Sequence, residues 1–187
     1  MKLLSFLIAL LIIPTSCSAG PKPYDHNPNS IVQVVCMDDG GKSGWFGSAT
    51  RIAPHTYVSV THVTSEHNCK VNGTAITVTY TNVEQDFSVF TGPEGTAFLP
   101  VSCKGFKKGK AYVMRGYAGG GTDDFFQPVI FTMYDLQTHL ALFVGNDFPG
   151  MSGGPIIDSR GRITGTVNIS DPTGGVDLRD TILCRRK

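Results

Sequence analysis

The sequence predicts an all-β fold, and three observations support that prediction. Glycine is abundant, with 22 residues in a chain of 187, while charged residues make up only 17%. Short runs of apolar and β-branched residues alternate with turn signals at a spacing of about ten residues. No segment keeps a helical period for about ten residues or more. Strands this short and this regularly spaced are typical of a sandwich or of barrels.

The predicted strands follow one another along the chain after a short linker. Residues 20–29 are rich in proline, asparagine and glycine, which predicts an extended linker. Residues 92–95 have the sequence Gly-Pro-Glu-Gly, which is typical of a connection between two halves. Strands are predicted at residues 31–36, 45–52, 57–60, 74–83, 87–90, 111–115, 129–134, 141–144, 155–157, 163–169 and 176–183.

The N-terminus has the layout of an export signal. Lys2 supplies a positive charge, residues 3–13 form an apolar run broken only by Ser5, and Pro14 ends the run. This run is shorter than the about 20 residues that a membrane-spanning helix needs. The sequence therefore predicts a signal peptide over residues 1–19 rather than a transmembrane anchor.

Two cleavage sites fit this signal. The small residues before Gly20 form one, whereas residues 14–17, Pro-Thr-Ser-Cys, resemble a bacterial lipobox in which Cys17 becomes the lipidated first residue. Pro14 departs from the lipobox pattern, which usually has an aliphatic residue there. We expect an exported protein that is periplasmic, secreted or tethered to a membrane through a lipid on Cys17, and the sequence leaves these alternatives open.

The cysteines predict disulfide bonds. The chain has five, at positions 17, 36, 69, 103 and 184, so four remain if Cys17 is removed or lipidated. An even number in an exported chain indicates two disulfides, and four cysteines allow three pairings. Cys36–Cys69 with Cys103–Cys184 is favoured because each bond then crosslinks one half of the chain; four free thiols are the alternative. No cysteine or histidine spacing typical of a zinc site occurs.

The charge balance argues against a nucleic-acid partner. The formal net charge is +1, and nucleic-acid binding favours a basic stripe. Two basic clusters, at residues 104–110 and 185–187, are interpreted as a solvated turn and a charged tail. We expect a monomer that binds no nucleic acid.

The segment at residues 150–155, Gly-Met-Ser-Gly-Gly-Pro, carries the most informative pattern. A serine hydroxyl becomes a nucleophile when a base removes its proton. The oxyanion that forms after attack needs donors already in place, and backbone N–H groups serve well. Glycines allow the backbone angles that turn such N–H groups inward. A plain glycine-rich turn is the alternative, but the whole string is far more specific, so Ser152 is the candidate nucleophile.

A base and an acid complete this chemistry. Of the five histidines, only His62 follows an apolar-rich strand, at residues 57–61, which predicts a rigid position at a strand end. An orienting acid must hold the imidazole and stabilise its cation. Asp86 directly precedes the apolar residues 87–90, so packing can fix its carboxylate. A core histidine and a turn aspartate are the alternative interpretations.

Together these segments resemble the chymotrypsin-like (trypsin-fold) serine peptidases, in their compact bacterial or viral form. Residues 61–63, Thr-His-Val, resemble the family's histidine motif, and residues 86–89, Asp-Phe-Ser-Val, are similar to its Asp-Ile-Ala-Leu. Residues 150–155 look like Gly-x-Ser-Gly-Gly-Pro, and the order His, Asp, Ser is also the family's. The resemblance implies two packed antiparallel six-stranded β-barrels, at residues 30–95 and 96–187, with the active site in the cleft between them.

The resemblance also implies further site residues. Gly150 and Ser152 supply the oxyanion N–H groups, and residues 166–170 form the strand that pairs with the substrate backbone. The expected substrate-binding residues are Asn146, Asn168, Ser170 and Gly175. Asn146 falls where the family often places the residue at the floor of its specificity pocket. Because asparagine is uncharged, a strict preference for Arg or Lys is not implied.

The sequence therefore predicts a serine endopeptidase that needs no cofactor or metal and acts on proteins or peptides. It has no Ile-Val-Gly-Gly segment, so activation by insertion of a new N-terminus is not implied. Two alternatives remain. One is a non-catalytic pseudo-peptidase that serves as a binding module, although all three triad residues are kept. The other is a peptidase that cuts only itself or a single partner.

Overall fold

The structure is a computed structural model that describes residues 28–38, 40–41, 44–65, 68–146, 148–168 and 173–185. The predicted signal peptide, Cys17 and nearly all of the predicted linker lie outside these ranges. Among the described residues, almost all regular structure is β, and its helices are single turns. The all-β prediction is confirmed.

Seven strands form the first sheet. They are β1 (Ile31–Met37), β2 (Gly44–Ala53), β3 (Thr56–Ser59), β4 (Cys69–Val71), β5 (Thr74–Ala75), β6 (Thr77–Asn82) and β7 (Phe87–Thr91). They lie in the order β5-β4-β1-β2-β3-β7-β6, and every neighbouring pair is antiparallel. The edge strands β5 and β6 are separated along the chain only by Ile76. The sheet therefore curls until its two edges meet at that residue.

Six strands form a closed barrel in the second half. They are β8 (Ala111–Gly116), β9 (Phe125–Tyr134), β10 (Ala141–Val144), β11 (Pro155–Ile157), β12 (Ile163–Asn168) and β13 (Gly174–Asp177). Their order around the barrel is β10-β13-β12-β11-β8-β9. This barrel has the expected six strands, whereas the first unit is a curled seven-stranded sheet rather than a closed six-stranded barrel. The division of the chain at residue 95 stays a prediction.

Short helical turns connect these strands. The α-helical turns are α1 (Thr61–Thr64) and α2 (Ile182–Arg185), and 3₁₀ turns occur at Pro28–Ser30, Ala118–Gly120 and Leu178–Asp180. No helix in the described part of the chain is long and apolar enough to cross a membrane.

Two predicted strands differ from the structure. The run at 74–83 is divided at Ile76, because β5 pairs with β4 while β6 pairs with β7. The run at 176–183 ends as a strand at Asp177. There the Asp177 carboxylate accepts the backbone N–H of Arg179 at 2.8 Å, and the Thr181 hydroxyl donates to the carbonyl of Leu178 at 2.8 Å. Such local side-chain bonds favour a turn over a continued strand.

The barrel interior is filled by aromatic rings. Phe106 lies at the centre, with ring centroids 5.1 Å from Tyr112, 5.5 Å from Phe131 and 5.0 Å from Phe143. Most of these pairs meet edge to face, which is the favoured geometry for aromatic contacts. All four rings are buried, so they hold the barrel strands in fixed positions.

A second apolar cluster joins the two units. It contains Tyr57 and Phe87 of the first sheet together with Ile157, Ile163 and Val176 of the barrel, and all of them are buried. Burial of apolar side chains is the main stabilising contribution in folding. The contact between the sheet and the barrel is therefore part of the core, and it fixes how residues from the two halves meet.

Two disulfides crosslink the fold, in the pairing that the sequence favours. Cys36–Cys69 joins β1 to β4, where the two residues lie opposite each other in the strand register. Cys103–Cys184 joins the segment between the two sheets to α2. Disulfides persist in oxidising compartments, so the two bonds fit an exported protein.

Opening the Cys103–Cys184 bond tests its contribution to stability. Replacing both residues with serine should lower the free energy of unfolding by about 2–5 kcal/mol, because the bond joins residues 81 positions apart. Urea unfolding followed by circular dichroism measures this difference. Both proteins are compared without reductant, so that Cys36–Cys69 stays closed in each, and an unchanged unfolding midpoint in the double variant would contradict the expectation.

Candidate active site

Ser152 lies in the loop between β10 and β11, and residues 150–154 of this loop are buried. Ser152 is 6% exposed and Met151 is fully buried. Gly150 and Gly153 have φ angles of +96° and +85°, which side chains of L-residues rarely tolerate. A Cβ atom on Gly153 would lie 2.1 Å from the backbone oxygen of Ser48. Glycine is therefore required at position 153 by both its backbone angle and its close packing.

Two carbonyl groups fix the direction of the amides beside Ser152. The Pro149 carbonyl accepts an N–H from the 3₁₀ turn after β8 at 2.5 Å, and the Met151 carbonyl accepts the N–H of Gly154 at 2.9 Å. A trans peptide is planar, so its N–H points opposite to its C=O. The N–H groups of Gly150 and Ser152 therefore point away from these two bonds, and their role as oxyanion donors stays a prediction.

Ser48 of β2 fastens this loop to the first sheet. Its N–H donates to the Ser152 carbonyl at 2.7 Å, and its hydroxyl donates to the Gly150 carbonyl at 2.7 Å. The same hydroxyl accepts the N–H of Tyr117 at 2.9 Å, and the Ser48 carbonyl accepts the hydroxyl of Ser59 at 2.8 Å. Ser48 is fully buried, so these bonds are shielded from water.

His62 lies on α1, the single helical turn that follows β3. The Thr61 hydroxyl donates to the carbonyl of Phe87 at 3.0 Å, and the Thr64 hydroxyl donates to the side-chain hydroxyl of Ser88 at 2.9 Å. The other three residues of the turn are buried, whereas the His62 side chain is 48% exposed. The turn is thus fixed on its inner face and presents the imidazole on its outer face.

Asp86 holds His62 through two hydrogen bonds. Its Oδ1 accepts the His62 backbone N–H at 2.9 Å, and its Oδ2 lies 2.6 Å from the His62 Nδ1. Asp86 itself has a φ of +48°, an uncommon backbone angle, directly before the buried residue Phe87. This turn aims the carboxylate back towards α1.

The acid also determines which nitrogen of His62 is basic. An ionised carboxylate only accepts hydrogen bonds, so the Nδ1 beside Asp86 carries the proton. In the neutral ring, Nε2 is then the atom with a free lone pair. This tautomer is the one that a general base needs.

Asn168, at the end of β12, provides a further donor to the acid. Its side-chain amide donates to the Asp86 Oδ2 at 2.8 Å, and Asn168 is largely buried. The sequence predicts Asn168 as a substrate-binding residue. The structure places its side chain on Asp86, and direct contact with a substrate stays a prediction.

Packing around Gly47 brings the serine loop and α1 together. A Cβ atom on Gly47 would lie 2.5 Å from Cγ2 of Val63 and 3.1 Å from the carbonyl oxygen of Ser152. Val63 is the residue after His62, so the histidine turn and the serine loop pack at one point of β2. On its other side, the loop is held by the Gly153 N–H, which donates to the carbonyl of Val167 at 2.8 Å.

The remaining predicted substrate residues have different surroundings. Asn146 is exposed, and the side-chain amide of Gln127 holds its backbone, with a donor contact of 3.1 Å and an acceptor contact of 2.9 Å. Gly175 faces the barrel interior, because a Cβ atom there would lie 2.2 Å from Cδ1 of Ile156. Ser170 lies outside the described residues. The roles of these three residues in binding substrate stay predictions.

Two features beside the site carry no signal in the sequence. Ser48 belongs to an unremarkable strand, and its role depends on partners about a hundred residues away. Phe46 is partly exposed, and a Cβ atom on Gly150 would lie 3.1 Å from its ring. An aromatic surface therefore adjoins the candidate oxyanion site.

Comparison with known proteins rests on structure. No protein-family model matches the sequence, and no curated protein sequence matches it either. The Rv3671c protease from M. tuberculosis, in its active form, aligns with a TM-score of 0.68 and 22% identity, over 94% of this chain and 89% of that chain. The chain has the trypsin-like fold.

Two further solved structures share this trypsin-like fold. The serine endoprotease from Yersinia pestis aligns with a TM-score of 0.69 and 12% identity, over 81% of this chain. The HtrA-type protease AlgW aligns with a TM-score of 0.68 and 15% identity, over 82% of this chain. The chain spans 59% of the Yersinia structure and 57% of AlgW.

Removing the Ser48 hydroxyl should disturb the serine loop. Ser48→Ala leaves the buried Gly150 carbonyl and the Tyr117 N–H without their partner, so the free energy of unfolding should fall by about 1–3 kcal/mol. Chemical denaturation measures the loss. Ser59→Ala, which removes a single hydrogen bond to Ser48, is the matched control. Equal stability of Ser48→Ala and wild type would contradict this role.

Asn168→Leu distinguishes an action on Asp86 from contact with substrate. Loss of the donor to the acid should lower kcat by about ten- to a hundredfold and leave KM unchanged, since one hydrogen bond to a charged group contributes about 1.5–3 kcal/mol. Steady-state kinetics on a peptide substrate gives both constants. Asn168→Asp should be slower still, because it sets a second carboxylate against Asp86. A raised KM with unchanged kcat would instead indicate contact with substrate.

Proposed function

We propose that the protein is a serine endopeptidase of the chymotrypsin-like type, which hydrolyses peptide bonds through an acyl-enzyme on Ser152. The observation that carries this proposal is the hydrogen-bonded pair of His62 and Asp86, with 2.6 Å between Nδ1 and Oδ2, packed beside the glycine-rich serine loop. Similarity in fold to solved serine proteases supports the same reaction class.

In the first half of the reaction, Ser152 attacks the carbonyl carbon of the scissile peptide. His62 Nε2 takes the proton from Oγ as the new C–O bond forms, and Asp86 stabilises the resulting imidazolium. The negative charge moves onto the carbonyl oxygen, where the N–H groups of Gly150 and Ser152 donate to it. The C–N bond then breaks, and His62 gives its proton to the leaving amine.

In the second half, water releases the acyl group. His62 removes a proton from the water, whose oxygen attacks the ester carbonyl carbon, and the same two N–H groups stabilise the second oxyanion. When the C–O bond to Ser152 breaks, the proton returns to Oγ. The products are an amine and a carboxylic acid, and no cofactor takes part.

The substrate is a protein or a peptide whose chain lies in the cleft between the sheet and the barrel. Residues 166–170 would pair with its backbone, and Asn146 would lie at the floor of the specificity pocket. An uncharged residue at that position does not favour a basic side chain. The two disulfides support an exported protein, while the periplasmic, secreted or lipid-anchored location and the monomeric state stay predictions.

Two alternatives make different predictions. A pseudo-peptidase that only binds would not react with a serine-directed probe. A peptidase restricted to itself or to one partner would react with the probe and yet leave a mixed peptide library uncut. Intact-mass measurement of the chain, alone and with the library, distinguishes these cases.

Labelling with a fluorophosphonate tests the proposal directly. Wild-type protein should be labelled, and Ser152→Ala should not be. Turnover of a peptide substrate should fall by about 10⁴-fold or more, because the attacking atom is removed. Ser159→Ala, at an exposed turn serine, is the matched control and should behave as wild type. Equal labelling of wild type and Ser152→Ala would exclude Ser152 as the nucleophile.

A further inference from the structure

A basic groove lies at the end of β12 that is remote from the candidate active site. Its volume is about 450 Å³, and its walls come from residues 102–112 and 158–164. Thr164 in this groove precedes Asn168 by four residues on β12, which corresponds to about 13 Å along a strand. The groove is therefore separate from the pair formed by His62 and Asp86.

Five cationic side chains surround the groove. They are Lys104, Lys107, Lys110, Arg160 and Arg162. The only carboxylate among the residues lining the groove is Asp158, and Arg162 neutralises it through contacts of 2.6 and 3.0 Å to Oδ2. Burial raises the pKa of Asp158, but these contacts and the backbone N–H groups that donate to Oδ1 together outweigh burial and hold the pKa below its usual value.

The other four cations have no carboxylate partner in the part of the chain that the structure describes. They lie close together although the formal net charge of the chain is only +1. Like charges repel, so such a cluster favours the binding of an anion that neutralises it.

Two residues that line the same groove carry buried hydroxyl groups. Ser102 is 2% exposed and Thr164 is 1% exposed, and neither hydroxyl has a hydrogen-bond partner among the described residues. Native proteins rarely leave buried polar groups unpaired, because such groups have lost their bonds to water. An unpaired hydroxyl that lines a groove therefore indicates an additional partner.

Strand pairing places these two hydroxyls side by side. Val101 forms a parallel bridge with Ile163, and the Ser102 N–H donates to the Ile163 carbonyl at 2.8 Å. The next residue along each strand is then Ser102 on one and Thr164 on the other. Adjacent positions of paired strands direct their side chains to the same face, so both hydroxyls can donate to one ligand.

We propose that this groove binds a phosphate or sulfate group. Such a group has at least three terminal oxygens, so it can accept from both hydroxyls and still contact several cations. A carboxylate, with two oxygens, would leave more of these donors unpaired. The lysines supply charge, whereas Arg160 offers planar N–H groups that match an oxyanion. The ligand is either the free ion or its ester on a larger molecule.

Calorimetric titration of the full chain with inorganic phosphate and with inorganic sulfate tests this site, with sodium chloride adjusting each solution to the same ionic strength. We expect saturable binding with one site per chain. The double variant Ser102→Ala, Thr164→Val should bind at least about tenfold more weakly, since hydrogen bonds to a charged ligand are lost. Thr50→Val should bind as wild type, because it removes a buried hydroxyl in the first sheet that also has no partner among the described residues.

A second variant changes only exposed residues. Lys107→Gln with Lys110→Gln should also weaken binding about tenfold, and Lys70→Gln on β4 is its matched control.

Phenyl phosphate in place of the free ion identifies the source: equal affinity supports an ester as ligand, and loss of binding supports the free ion. The Ser152→Ala variant should bind phosphate as wild type does, which separates this proposal from the proposed peptidase activity.

Two results would overturn the proposal. One is the absence of saturable binding for both ions at matched ionic strength. The other is unchanged affinity in the hydroxyl double variant, which would show that the cations attract anions without a defined site.

Discussion

The hydrogen bonds of Ser48 are the interaction on which the site depends. One buried residue of the first sheet binds the carbonyls of Gly150 and Ser152 and accepts the N–H of Tyr117. Residues that follow β8 and residues that precede β11 are thereby fixed to β2. Because Gly153 packs closely against the same serine, the loop has no room for a side chain at that position. The glycine-rich backbone around Ser152 is held by the sheet that faces it.

The candidate acid shows the same dependence on both units. Asp86 belongs to the first sheet and orients His62, which lies on a turn of that sheet, but its third donor is Asn168 of the barrel. A single apolar cluster spans the contact between sheet and barrel. The geometry of the acid therefore depends on packing of the whole molecule, since a shift between the two units would break the bond from Asn168.

Buried hydroxyl groups in the described part of this fold differ in whether they have a hydrogen-bond partner. Those of Ser48, Ser59 and Thr61 are paired with backbone carbonyls and hold the serine loop and α1 in place. Those of Ser102 and Thr164 have no partner among the described residues and line a groove with a net positive charge. The same barrel strand, β12, carries Thr164 near its start and Asn168 at its end. One barrel strand therefore carries the proposed anion groove near its start and the contact to the candidate acid at its end.

The sequence by itself determined the all-β class, the favoured cysteine pairing, and the glycine-flanked serine, the histidine and the aspartate as candidates. These features follow from local patterns, such as short apolar runs and glycines next to a nucleophile. Only the tertiary structure decided that Ser48 holds the loop, that Asn168 contacts Asp86, and that the run at 74–83 divides between two edges of one sheet. Ser48 and Gly150 are 102 residues apart, and Asn168 and Asp86 are 82 apart. Partners at such separations are chosen by sheet curvature and core packing, which leave no pattern in neighbouring residues.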